Sequence, residues 1–179
     1  MKTKAIRITK VYLFVFIAVG IISCNNKDTE IKTDPVVSTF YLIRHAEKDR
    51  TDTTNSNPEL NQDGLSRAIK WAEIFNPIDL DIIYATNYER TSMTAAPTSI
   101  KKDINITYYN PSDIDIEALK LANQGKNVLI VGHSNTTPEM VNKLLGYEKY
   151  EAMDDTDNSS LFIVRIIDSV ATDIRLNMN

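Results

Sequence analysis

The chain contains two histidines, His45 and His133, and each follows a run of apolar residues. Arg44 directly precedes His45, and Arg90 opens a helical pattern after a third such run. A neutral imidazole nitrogen is a competent nucleophile toward phosphorus and gives a phosphohistidine intermediate. A guanidinium is planar and forked, and it matches the oxygens of a phosphoryl group. Two imidazoles and two guanidiniums in one pocket repel one another while it is empty. Such a cluster is tolerable only with an anion bound or with a histidine kept neutral. Phosphoryl transfer requires an aligned nucleophile and positive charge on the equatorial oxygens. These residue types therefore fit phosphate-ester cleavage.

The elements that must gather these side chains show as alternating patterns. Residues 36–43 (VVSTFYLI) are β-branched and aromatic and predict a buried strand. Residues 52–58 form a Thr/Asn/Ser-rich loop. Leu65, Ala68, Ile69, Ala72 and Phe75 keep helical spacing, with Asn61 as N-cap and Asn76-Pro77 as the stop. Residues 81–86 predict a second strand, 90–100 a helix bent or interrupted near Pro97, and 104–109 a third strand. A helix is expected over 113–123 with Gly125 as its cap, then a strand over 127–131. The next helix opens with Thr137 as N-cap, Pro138 in the first position and Glu139 in the first turn, and Gly146 ends it. Two β-runs, 160–167 and 170–177, flank Asp168-Ser169 and predict a hairpin. Strands alternating with helices imply an α/β fold, with a mostly parallel sheet and helices on both faces. Ligands in such sheets bind beyond the carboxyl ends of the strands, where both histidines fall.

A length of 179 residues and a hydrophobic content of 42% suit one domain with a real core and a short appendage. The net charge of −4 argues against a nucleic-acid partner held by broad phosphate neutralisation. The appendage reads as an address. Lys2, Lys4, Arg7 and Lys10 precede an apolar run over residues 11–22. That run is too short for a mature bilayer span, which needs about 20 residues, and it fits an export signal. Ile21-Ile22-Ser23-Cys24 resembles a bacterial lipobox, with the chain's only cysteine as the lipidation site. The expected organisation is a signal peptide over 1–23, a polar tether over 24–35 and a folded domain over 36–179. Cleavage leaves 156 residues with 16 Lys and Arg against 24 Asp and Glu, a net charge of −8. The expected location is the bacterial cell envelope, anchored by lipid and facing outside the cytoplasm. Asp154-Asp155-Thr156-Asp157 reads as a solvated loop rather than a calcium site. Lys48 either adds positive potential at the pocket rim or is simply solvated.

Several motifs together carry a family resemblance. Leu42-Ile43-Arg44-His45-Ala46-Glu47 resembles the Arg-His-Gly(Ala)-Glu signature of the histidine phosphatase superfamily, also called phosphoglycerate mutase-like. Leu60-Asn61-Gln62-Asp63-Gly64 with Ala68 is similar to its Leu-Thr-x-x-Gly segment. Thr86, Arg90-Thr91 and Thr94-Ala95 are similar to its Ser-x-x-x-Arg-x-x-x-Thr-Ala block, and Val131-Gly132-His133 to its second-histidine motif. The resemblance implies a three-layer sandwich. It implies that His45 is the nucleophile, that Arg44 and Arg90 hold the phosphoryl oxygens, and that His133 completes the pocket. It implies no metal and no cofactor. The family's general acid has no direct counterpart: no glutamate follows the third predicted strand, and Ser134 stands where an aspartate would follow the second histidine. Asp113, Glu139 or no acid at all remain open. A site without a strong acid suits leaving groups of low pKa, such as phosphoramidates and anhydrides. The expectation is a lipid-anchored phosphatase acting on a small phosphorylated substrate. A non-catalytic envelope lipoprotein that binds phosphorylated ligands, or a phosphomutase, is the alternative.

Overall fold

The computed structural model describes residues 34–179. The expected signal peptide, nearly all of the tether and the lipidation site Cys24 lie outside the described residues. The elements run β1 (Val37–Arg44), α1 (Gln62–Ile74), β2 (Ile82–Thr86), α2 (Glu89–Lys102), β3 (Ile106–Tyr109), α3 (Ile116–Ala122), β4 (Asn127–Gly132), α4 (Thr136–Leu145), β5 (Ser160–Ile167) and β6 (Val170–Asn177). Six strands form one sheet in the order β3-β2-β4-β1-β5-β6. The first four are mutually parallel; β5 and β6 run antiparallel as a hairpin. Positive φ at Asp168 and Ser169 closes that hairpin.

The period-two alternation of the central strands divides the core into two layers. Phe40 and Leu42 of β1 and Val128 and Ile130 of β4 pack with Leu119 of α3 and Met140, Val141 and Leu144 of α4. Ile43, Leu129 and Val131 point the other way, onto Trp71 and Phe75 beside α1 and Ala95 of α2. Helices therefore cover both faces. No described helix is long and apolar enough to cross a membrane.

Three local expectations are corrected. The helix expected from residue 113 starts at Ile116, because the Asp115 side chain accepts from the N–H groups of Glu117 and Ala118 and caps it there; its C-cap is Asn123. Gly125 instead takes a positive φ in the turn into β4. The helix α4 begins two residues early, with Asn135 as N-cap, so Pro138 sits third rather than first. The Thr136 hydroxyl is used to accept from the His133 N–H at 3.0 Å. Pro97 lies inside α2 without ending it; the helix stops at Asp103, which adopts the left-handed conformation.

The topology positions the site. Strands β1 and β4 are adjacent and parallel, with Arg44 level with Gly132. The chain leaves β1 for α1 on one face and leaves β4 for α4 on the other. Divergence of the chain after two neighbouring strands opens a crevice at their carboxyl ends.

Candidate active site

His45 and His133 each follow the last residue of one of these two strands. The His45 N–H donates to the Gly132 carbonyl at 2.9 Å, which continues the β1–β4 ladder into the site. The ring centroids lie 5.4 Å apart, edge to face. Strand β2 lies on the far side of β4, with Ala85 level with Val131. This brings Thr86 alongside His133, with Oγ1 2.8 Å from Nε2. Arg90, in the first turn of α2, is carried to the same end.

The His45 ring has a fixed tautomer. Its Nδ1 lies 2.7 Å from the Ala46 carbonyl, which can only accept, so Nδ1 carries the proton. In the neutral ring Nε2 then holds the free lone pair. Burial lowers the His45 pKa to about 3; the Ala46 carbonyl opposes this, and the charges of Arg44, His133 and Arg90 reinforce it. His133 falls to about 4, through burial first and then Arg90, Arg44 and Lys48. Both imidazoles are thus neutral at neutral pH, which resolves the electrostatic conflict expected of the cluster.

Thr86 can serve His133 in either protonation state. Its hydroxyl is 3.2 Å from Thr91 Oγ1, whose own proton is given to the Thr86 carbonyl at 2.6 Å. The Thr86 hydroxyl can donate to Nε2, or accept from it while donating to Thr91.

The two arginines are held differently. The Arg44 side chain is 1% exposed; Nη2 donates to Asp155 Oδ1 at 2.6 Å, and Nη1 to the carbonyls of Asp154 and Asp157. Only its Nε remains buried without a partner. Arg90 has no acidic partner among the described residues. Its Nε and Nη1 are both buried and unpaired, and the guanidinium carbon lies 4.5 Å from the centre of the Tyr88 ring. Three buried guanidinium N–H positions are therefore unsatisfied at the mouth of the β1–β4 crevice. Buried donors are normally paired, so this is the pattern of an oxyanion site.

The remaining motifs fix the loop after His45. Asn158 Nδ2 donates to the His45 carbonyl at 2.8 Å, and the Ala46 N–H donates to Thr94 Oγ1 at 2.9 Å. Gly64 lies against the loop so closely that an added Cβ would stand 2.1 Å from the Glu47 carbonyl oxygen. Arg67 Nε grips both Glu47 carboxylate oxygens, at 2.8 and 3.0 Å.

Two participants escaped sequence reading. Tyr88 stands edge-on to His133 at 5.0 Å between centroids, with Arg90 over its face. Asp155 belongs to the segment expected to be a solvated loop; the loop is exposed, and within it the Asp155 carboxylate bridges Arg44 and Arg50. Lys48 is half-buried without an ion-pair partner among the described residues, and its charge reaches His133. The two candidate acids are not drawn into the site. Asp113 accepts from Asn110 Nδ2, and Glu139 pairs with Lys143. Among the described residues no group of three or more His, Cys, Asp or Glu side chains is arranged to hold a metal ion.

The depressed histidine pKa values give a prediction. Unfolded histidines bind protons below about pH 6.5, whereas folded His45 and His133 do so only near 3 and 4. Between pH 6.5 and 4 the unfolded state holds more protons, so stability falls as the pH drops through that window. Thermal unfolding across the window should show a declining midpoint. Inorganic phosphate or tungstate should offset the decline by favouring the protonated rings.

A sequence-family model described as the Histidine phosphatase superfamily (branch 1) matches residues 40–110, which hold Arg44, His45 and Arg90 but stop before His133. No curated protein sequence matches significantly. Solved structures supply the fold. The protein histidine phosphatase SixA complexed with tungstate superposes with a TM-score of 0.61 at 12% identity, covering 78% of this chain and 96% of that one. The mycobacterial glucosyl-3-phosphoglycerate phosphatase gives 0.57 at 12% identity over 80% and 100%. A phosphoserine phosphatase from Entamoeba histolytica gives 0.57 at 15% over 78% and 96%. Identities this low establish the architecture alone, and the family match adds three of the four site positions to it. Over residues 40–110 the chain is similar to the histidine phosphatase superfamily, and its described domain shares the architecture of these solved phosphatases.

Proposed function

We propose that the protein hydrolyses phosphomonoesters or related phosphoryl compounds through a phosphohistidine at His45. The observation that carries this reading is the pairing of a lone-pair-bearing His45 Nε2 with three buried, unsatisfied guanidinium N–H positions on Arg44 and Arg90. His45 Nε2 attacks phosphorus as the bond to the leaving oxygen breaks. Arg44 Nε and Arg90 Nε and Nη1 bind the equatorial oxygens, and His133 closes the pocket beside the reacting group. Water then cleaves the N–P bond and frees His45. Among the described residues, Asp155 is the only carboxylate hydrogen-bonded to any of these four side chains. Partial burial raises its pKa, but Arg50, Arg44 and Lys48 outweigh this and hold it below the usual carboxylate range. Asp155 is therefore a poor proton donor, and the site suits leaving groups that depart without strong protonation. A burst of p-nitrophenol from p-nitrophenyl phosphate, followed by steady turnover, is the expected signature. A folded protein that binds phosphate but gives neither burst nor turnover would instead be a phosphate-binding envelope protein.

The export reading extends this proposal. Lipidated Cys24 anchors the domain to a membrane of the bacterial envelope, outside the cytoplasm. Val37 opens β1 at the end of the strand opposite His45, so the chain enters the domain at the end of the sheet away from the site. Intact mass of the envelope-extracted protein should show acyl groups on a species beginning at Cys24. Cys24→Ser should abolish both acylation and membrane retention.

A further inference from the structure

Strand β6 forms one edge of the sheet, and among the described residues no strand pairs with its outer side. The hairpin determines which of its backbone groups face outward. One step beyond the Ser160–Asn177 pair, the Met178 N–H donates to the Ser159 carbonyl at 2.9 Å. In an antiparallel ladder, hydrogen-bonded pairs of this kind alternate with pairs whose N–H and C=O groups point away. Ala171, Asp173, Arg175 and Asn177 therefore direct both groups to the open edge. Exposed edges are ordinarily blunted by proline, lysine or a bulge. Residues 170–177 contain no proline and no lysine, and their register with β5 runs without a break.

The two faces of this edge differ. Val170, Ile174 and Leu176 share one face and are 65%, 57% and 41% exposed. Asp173 and Arg175 share the other, where Asp173 pairs with Lys149 and Arg175 with Asp157. The strand is complementary to itself when a second β6 runs antiparallel beside it about a two-fold axis through Ile174. Asp173 then stands opposite the partner's Arg175, and Ala171 opposite the partner's Asn177. All four are residues whose outward groups can bond in such pairs. Ile174 meets its own counterpart in the closely spaced pair between them. The charges alternate across the join, Lys149 and Asp173 of one copy followed by Arg175 and Asp157 of the other. A slip of one residue sets outward backbone groups against inward ones. A slip of two sets Asp173 against Asp173 or Arg175 against Arg175, and like charges directly opposite are destabilising.

We infer that β6 is a self-association edge, on which a second copy of this chain pairs to join the two sheets into one. The occupant is a second copy because the match is isologous: each residue of the strand finds its complement on the same strand. The pairing uses none of the four phosphoryl-pocket side chains, so it stands or falls apart from the phosphatase reading.

The test has two arms, both on the full-length chain in excess non-ionic detergent. Sedimentation should give about twice the protein mass of one chain, falling to a single chain in Ile174→Lys with an unchanged circular dichroism spectrum. Cysteine cross-linking then reads the register, in a Cys24→Ser background so that each chain carries one thiol. Opposed residues of a closely spaced antiparallel pair lie within disulfide reach. Under copper–phenanthroline oxidation, Ile174→Cys should therefore form a covalent dimer with itself. Thr172→Cys and Leu176→Cys should each stay single alone and cross-link when the two are mixed. A single-chain mass at every concentration overturns the proposal, whatever then covers the edge. So does a dimer that survives Ile174→Lys, or one in which Thr172→Cys cross-links to itself and Ile174→Cys does not.

Discussion

Replacing His45 with alanine should lower kcat for p-nitrophenyl phosphate by roughly 10⁴-fold or more, leaving only what oriented binding and the arginines supply. The size of the effect follows from the absence of a substitute. His133 is the one other histidine, and its Nε2 is engaged with Thr86. The fold should survive, since the backbone N–H of residue 45 still reaches the Gly132 carbonyl and Asn158 still reaches the carbonyl of residue 45. The variant should also lose part of its acid sensitivity. One of the two rings that folding keeps neutral is gone, so the decline in stability between pH 6.5 and 4 becomes shallower. A variant that retains kcat would show that the nucleophile lies elsewhere.

The second large effect separates the two arginines. Arg90→Ala should reduce kcat/KM by about 10²–10³-fold, because it removes two of the three buried, unpaired guanidinium nitrogens proposed to hold the phosphoryl oxygens. Arg90→Lys should not restore activity, since an ammonium group lacks the fork that offers Nε and Nη1 together. Stability should hold or rise by about 1 kcal/mol in anion-free buffer, because the deleted guanidinium has two buried atoms without partners. Arg44→Ala should behave otherwise. Its guanidinium ties β1 to the 154–157 segment through one carboxylate and two carbonyls, so its loss should cost about 2–4 kcal/mol as well as activity. Calorimetry of both variants with and without phosphate reads the split. Equal destabilisation of the two would contradict the assignment of Arg90 as the free anion-binding arginine.

Much of this arrangement is legible in the sequence because it is local. The apolar run before Arg44-His45 and the one before Gly132-His133 are strong enough to identify β1 and β4. The rule that sheets bind ligands at carboxyl strand ends then points to His45 and His133, whose rings the structure places 5.4 Å apart. The capping by Asn61 and the hairpin at Asp168-Ser169 are likewise written in single residues. The strand order is not. Nothing in either apolar run states that β4 inserts between β1 and β2; that follows from packing two helical layers against one sheet. Asp155 is illegible for the same reason. It meets Arg44 across 111 positions, and its acidic neighbours give it the composition of a solvent loop. Tyr88 sits only two residues before Arg90, but an aromatic in a strand-to-helix turn carries no local signal that an arginine will lie over its ring. The start of α4 is not legible, because Thr137-Pro138-Glu139 satisfies helix-start chemistry while the Thr136 hydroxyl is claimed by the His133 backbone. At that point the demands of the site outweigh local preference.

The central claim is that His45 Nε2 takes the phosphoryl group while the guanidiniums of Arg44 and Arg90 hold its oxygens. Rapid acid-free quenching during turnover of a ³²P-labelled activated phosphate, followed by peptide mapping, tests it most directly. The account predicts an acid-labile, base-stable phosphoryl group on the peptide containing His45, absent from His45→Ala and present in His133→Ala. Turnover without label on that peptide, or label on His133 instead, would contradict it.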